Sequence, residues 1–136
     1  MSQVYFLEIL YLVFGSLLLL SDTHGIKYPL LLSFRYAFRT KRSLRLTLIW
    51  SGVLLTILSL FIPYEPGPIL LGDLVMSIAL LCLTLWYIAQ DTKKNDSQQG
   101  VFDEVGSYIE RNRKNWGFVI LAVACIHFVV PGCVLL

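Results

Sequence analysis

Residues 27–45 read KYPLLLSFRYAFRTKRSLR, and a long apolar run lies on either side of them. This stretch carries more than half of the 11 basic residues of the chain, namely Lys27, Arg35, Arg39, Lys41, Arg42 and Arg45. Basic segments next to apolar spans remain on the cytoplasmic side of a membrane. We therefore expect this segment to set the direction in which each neighbouring helix crosses the bilayer.

The composition is that of a chain whose solvent is lipid. Of its 136 residues, 57% are hydrophobic and 15% are charged, and the mean hydropathy is +0.71. Soluble domains carry roughly a quarter charged residues. The net charge is only +2, but every Lys and Arg falls within residues 27–45 or 93–114. That distribution is typical of loops that orient membrane spans, so we expect no nucleic-acid partner.

We predict four apolar runs to be membrane spans; a span takes about 20 residues, or about 17 at the short end, and the last of the four runs is shorter than this. They cover approximately residues 4–20, 46–62, 69–89 and 117–130, and a turn with three prolines separates the second run from the third. The sequence predicts an all-α integral membrane protein, with residues 1–136 as a single four-helix transmembrane domain. The basic loops, about 21–45 and 90–116, are expected in the cytoplasm. Both termini then lie outside it, and we expect a bacterial inner (plasma) membrane.

The first loop contains an amphipathic pattern. Pro29 suits the first turn of a helix. After it, Leu31, Phe34 and Phe38 form one stripe, and Arg35, Arg39 and Arg42 form a neighbouring stripe. This pattern favours a short helix in the cytoplasmic headgroup layer, with aromatic rings inward and guanidinium groups toward lipid phosphate. The alternative is one long helix that continues into the second span, with the arginines snorkelling to the interface.

The second loop ends in another amphipathic pattern. Residues 101–116 read VFDEVGSYIERNRKNW, with apolar positions at helical spacing. We expect a second interfacial helix here, with a pairing of Glu110 and Lys114 at i, i+4. Trp86 and Tyr87, at the end of the third span, are expected in the aromatic belt at the membrane interface.

Three ionisable residues lie inside the predicted spans: Glu8, Asp73 and His127. Intramembrane ionisable residues are candidate functional sites because each is costly to insert. On the predicted topology all three lie near the outer surface, where they would form a proton or cation site. The alternative is structural: both acids lie near the N-terminus of a helix, where the helix dipole stabilises a carboxylate. A lone histidine is commonly a hydrogen-bonded packing residue.

The sequence lacks the motifs of the common enzyme classes. No known catalytic motif places a Ser or Cys beside a base, and glycine-rich phosphate loops and H-E-x-x-H are absent. The three cysteines, Cys82, Cys125 and Cys133, have no C-x-x-C spacing and are interpreted as small hydrophobic residues. We therefore expect no enzyme activity, no catalytic residues, no cofactor and no metal.

The basic segment exceeds what orientation alone requires, because aromatic residues alternate with its charges. Its candidate docking residues are Arg35, Arg39, Lys41, Arg42 and Arg45, facing anionic lipid headgroups or an acidic partner. The favoured function is a small integral subunit or accessory protein of a larger membrane complex. Its partners would be other membrane subunits or further copies of itself. The alternative is a small oligomeric proton- or cation-coupled transporter that uses Glu8 and Asp73.

Overall fold

A computed structural model describes residues 3–24, 29–61, 74–94 and 101–130. These residues form six α-helices: α1 (Gln3–His24), α2 (Pro29–Thr40), α3 (Arg42–Phe61), α4 (Leu74–Lys94), α5 (Val101–Arg111) and α6 (Arg113–Val129). Every regular element among the described residues is helical. The all-α prediction is therefore confirmed.

Three of these helices have the length and composition needed to cross a membrane. The qualifying segments are Gln3–Ser21 of α1, Arg42–Phe61 of α3 and Leu74–Thr92 of α4. Helix α6 has 17 residues and is shorter than these three. At 1.5 Å per residue it is about 25 Å long, slightly less than the hydrocarbon thickness of a typical bilayer.

Helices α1 and α6 pack side by side in opposite directions. Near one end, the Tyr5 hydroxyl donates a hydrogen bond of 2.8 Å to the carbonyl oxygen of His127. Near the other end, Gly117 lies against Leu20, and a Cβ at this glycine would be 2.8 Å from Leu20 Cγ. The absence of a side chain at Gly117 therefore allows the two helices to approach closely.

Helices α3 and α4 form a second antiparallel pair. The hydroxyls of Ser59 and Ser77 are 2.8 Å apart at one end, and Arg45 pairs with Asp91 at the other. Between the two helix pairs lies one apolar core, to which α1, α4 and α6 contribute the most deeply buried side chains. These include Leu12, Leu19, Met76, Leu80, Leu83, Tyr87, Ile120 and Ala124.

Helices α2 and α5 are short, and each leads into a longer helix through one residue. Lys41 separates α2 from α3, although Lys41 N still donates to Ala37 O at 2.8 Å. Asn112 separates α5 from α6 in the same way, with Asn112 N donating to Tyr108 O at 3.1 Å. Residues 29–40 are thus a helix of their own, interrupted before α3 rather than fused with it.

Helix α5 folds back along the end of α4. Gly106 lies directly on Ala89, so close that a Cβ at position 106 would overlap the Ala89 side chain. Trp86 and Gln90 of α4 both reach Glu110 of α5. The last turns of α4 are therefore covered by α5 on one side, and they meet α2 through Phe38 on another.

Candidate functional site

Arg45 is buried at the point where α2, α3 and α4 meet. It is 2% exposed, and its Nε donates to Asp91 Oδ1 at 2.9 Å. Its Nη1 donates to the carbonyl oxygens of Phe38 and Arg39, each at 3.3 Å. These carbonyls belong to the last turn of α2, whose acceptors have no partner within the helix. One guanidinium group therefore caps α2 and joins it to α4.

Trp86 lies at the same end of the bundle and connects α2 to α5. Phe38 stacks on its indole with the two ring planes 9° apart. The indole Nε1 donates to Glu110 Oε2 at 2.7 Å. Trp86 and Tyr87 are both buried among the helices, and their location in an aromatic belt at the membrane interface stays a prediction. Phe38, Arg45, Trp86, Asp91 and Glu110 together are called the junction below.

Glu110 of α5 accepts hydrogen bonds from three residues, two of which belong to α4 and one to α6. Besides Trp86, Gln90 Nε2 of α4 donates to Oε2 at 3.0 Å, and Arg113 Nη1 of α6 donates to Oε1 at 3.1 Å. Burial lowers the pKa of the Arg113 guanidinium, but arginine remains protonated in proteins. Glu110 therefore joins α4, α5 and α6, and it pairs with Arg113 rather than with the expected Lys114.

The predicted docking residues divide into two groups in the structure. Arg39, Lys41 and Arg42 are exposed around the break between α2 and α3. We call these three residues the basic corner. Arg35 is half-buried one turn earlier, and Arg45 is inside the junction. The surface that a partner can reach is therefore the basic corner with Arg35 beside it, and Arg45 holds that surface in place from within.

The predicted intramembrane residues are partly brought together. Glu8 and His127 are 0% and 2% exposed, on the facing helices α1 and α6. Glu8 lies one turn from Tyr5, whose hydroxyl contacts His127 O, so both residues occupy the same end of this helix pair. The His127 Nδ1 lies 2.8 Å from Val123 O, and because a carbonyl only accepts, Nδ1 carries the proton. Asp73 lies outside the described residues.

Sequence reasoning did not predict four of the residues whose contacts join the helices around the junction. These are Asp91, which pairs with Arg45, and Trp86, Gln90 and Glu110, which join α4 to α5. One signal was available for Asp91. A buried arginine requires an anionic partner, and Asp91 lies two residues after the third predicted span, at the same membrane surface as Arg45, which directly precedes the second. Among the described residues, no group of three or more His, Cys, Asp or Glu side chains is arranged to hold a metal ion.

Comparison with known proteins gives a family but no activity. A protein-family model matches residues 1–127. The chain belongs to that family. The family is uncharacterised, so membership does not assign a function. No curated protein and no solved structure matches the chain. Functional conclusions therefore depend on the residues and contacts of this chain.

Proposed function

We propose that this protein is an integral membrane protein with four spans, and that α6 is the fourth. The proposal of four spans is supported by the apolar character of the outer surface of the long helices. Large apolar side chains are exposed on each of the four long helices, among them Leu7 and Leu10, Trp50 and Leu54, Ile78 and Leu81, and Phe118 and Phe128. Large exposed apolar side chains on all four helices favour contact with lipid or with partner proteins. Helix α6 packs along the length of α1, so it crosses wherever α1 crosses.

The charge distribution supports one orientation in this proposal. All Lys and Arg lie within residues 27–45 or 93–114, which cover the start of α3, the end of α4, the start of α6 and the segments between them. Positive segments remain in the cytoplasm, which places both termini on the opposite side of the membrane. A bacterial inner (plasma) membrane fits this arrangement.

The proposed role is non-catalytic: a small subunit or accessory protein of a larger membrane complex, which docks through the basic corner. The observation that most supports this docking role is that tertiary contacts hold the end of α2, which carries the basic corner. Orientation requires only charges near a span, and a flexible loop supplies them equally well. Here Arg45 caps α2 from inside and Phe38 is stacked on Trp86, so the backbone that carries the exposed cations is held in place. A fixed charged surface is suited to recognising an acidic surface on another protein.

Gentle detergent extraction followed by mass spectrometry of co-purified proteins tests this role. The double variant Lys41→Gln/Arg42→Gln removes two exposed charges of the basic corner. Its matched control, Arg111→Gln/Lys114→Gln, removes one exposed Arg and one exposed Lys from the other basic segment. We expect the first variant to lose co-purifying membrane proteins and the control to retain them. A wild-type chain that purifies without any partner would contradict the proposed role.

A second candidate role is supported by a separate observation. Glu8 and His127 are both fully buried on facing helices, and buried ionisable groups within spans commonly mark proton or ion pathways. In this alternative the chain is a small oligomeric proton- or cation-coupled transporter. Glu8 would bind and release the coupling proton or cation, with Asp73 as the second carboxylate.

A further inference from the structure

An apolar groove lies between α1 and α2. Its volume is ≈190 Å³, and its lining consists of apolar side-chain surface. Three residues come from α1 and three from α2: Phe14, Leu17, Leu18, Leu30, Leu31 and Phe34. The rings of Phe14 and Phe34 contact each other edge to face, with their centroids 4.3 Å apart. Leu30, on one wall, is 87% exposed, so the groove is open to the surroundings of the protein.

We infer that this groove binds one acyl chain of an anionic phospholipid, whose headgroup phosphate contacts the arginines of α2. The inference rests on the membrane insertion proposed above and goes beyond docking to a partner protein. An acyl chain needs no hydrogen-bond partner, and the groove supplies none. An extended peptide segment would bury N–H and C=O groups against these walls without partners, which is costly. The chemistry of the lining therefore favours a lipid tail.

The charge beside the groove selects the headgroup. Residues 29–43 contain four basic residues and no acidic residue. Arg35 follows the groove residue Phe34 directly and lies four residues after the groove residue Leu31, which places it next to Leu31 on the helix surface. Arg39 follows one turn later. Guanidinium groups bind phosphate oxygens in a bidentate manner, so a negatively charged headgroup above this groove is favoured over a zwitterionic one.

The position of α2 in the proposed topology supports a phospholipid as the ligand of this groove. Helix α2 starts a few residues after α1 ends and stops one residue before α3 begins. In the proposed topology both of those helix ends lie at the cytoplasmic surface, which is where headgroups are found. The groove then runs along the inner part of α1, at the depth of the first segments of the acyl chains.

Electron paramagnetic resonance with lipids that carry a nitroxide on the acyl chain tests the inference. The protein is reconstituted in phosphatidylcholine bilayers that contain a trace of labelled phosphatidylglycerol or labelled phosphatidylcholine. We expect the motionally restricted fraction to be larger for phosphatidylglycerol. The variant Arg35→Gln/Arg39→Gln should lose this preference, and Arg111→Gln/Lys114→Gln should retain it. Leu31→Trp, which fills the groove, should also lose it, whereas Leu54→Trp on the exposed face of α3 should not.

The possible failures are distinguishable. Equal restriction of both lipids by the wild-type protein would overturn the lipid site and leave the membrane insertion intact. No restriction of either lipid would overturn the membrane insertion itself. If light scattering showed that Leu31→Trp converts a dimer to a monomer, a second copy of the chain would occupy the groove and the inference would be wrong. If Leu31→Trp does not fold, Arg35→Gln/Arg39→Gln decides alone, because it removes no groove residue.

Discussion

Phe38 of α2 lies flat against Trp86 of α4, with the ring planes 9° apart and the ring centroids 5.8 Å apart. The same indole donates its N–H to Glu110 of α5 at 2.7 Å. One residue of α4 therefore contacts both short helices, which lie far apart in the sequence. Trp86 therefore supports two parts of the structure: the end of α2, where the basic corner is exposed, and α5, which precedes α6.

Removing the indole donor should loosen α5 selectively. Trp86→Phe retains an aromatic ring against Phe38 and leaves Glu110 without one of its donors. We expect a loss of about 1.5 kcal/mol in the free energy of unfolding, the lower part of the range for a hydrogen bond to a charged group. Hydrogen exchange should accelerate in α5 before it does in α1. Trp50→Phe is the control, since Trp50 is 71% exposed. Equal effects of the two substitutions would contradict this account of Trp86.

Neutralising Asp91 should destabilise the junction strongly. Asp91→Asn leaves the buried Arg45 guanidinium without its counter-ion, and breaking a buried pair in this way costs about 3 kcal/mol or more. The double variant Arg45→Met/Asp91→Asn should recover much of the loss because no uncompensated charge remains. Chemical unfolding in detergent, followed by circular dichroism, measures both. A double variant no more stable than Asp91→Asn would contradict the prediction.

The contact between Gly106 and Ala89 gives a steric test of the packing of α5 on α4. Gly106→Ala should destabilise the protein by about 1–3 kcal/mol, because the added methyl group overlaps the Ala89 side chain. Adding Ala89→Gly should restore stability, since it removes the opposing methyl group. The helix propensities of the two changes cancel in the double variant. If the two substitutions were additive in thermal unfolding, this close contact would not exist.

The proposed topology predicts the location of three points on the chain. Reporter fusions after Arg45 and after Lys114 should report the cytoplasm, and a fusion after Leu136 should report the opposite side. The physical reason is the restriction of all Lys and Arg to residues 27–45 and 93–114. A cytoplasmic C-terminus would show that the number of spans or the orientation is wrong.

The transporter alternative makes its own prediction at Glu8. Glu8→Gln keeps the shape of the side chain and removes its titratable proton, so a proton-dependent flux in proteoliposomes should disappear while the protein remains inserted. Glu104→Gln, on the exposed surface of α5, should have no effect. Wild-type flux in the Glu8 variant would leave this carboxyl group with a purely structural role.

Local sequence determined where the helices are. Apolar runs and their spacing predicted four long helices, and the described segments of α1, α3, α4 and α6 lie at those positions. The stripes after Pro29 predicted the short helix α2, and the pattern in residues 101–116 predicted a helix that the structure divides at Asn112. Such signals depend on residues within a few turns of one another, so a single chain segment carries them.

Only the tertiary structure decided what each polar or aromatic side chain faces. Arg45 belongs to the basic segment by sequence, yet it is buried because its side of α3 meets α4 at Asp91. Trp86 satisfies the pattern of an interfacial residue, and only the fold shows that Phe38 and Glu110 cover it. Helical spacing alone allows Glu110 to form an ion pair with either Arg113 or Lys114. In the structure Glu110 pairs with Arg113 while it also accepts hydrogen bonds from α4. Helix spacing specifies which residues share a face, whereas the neighbour opposite that face depends on how distant segments pack.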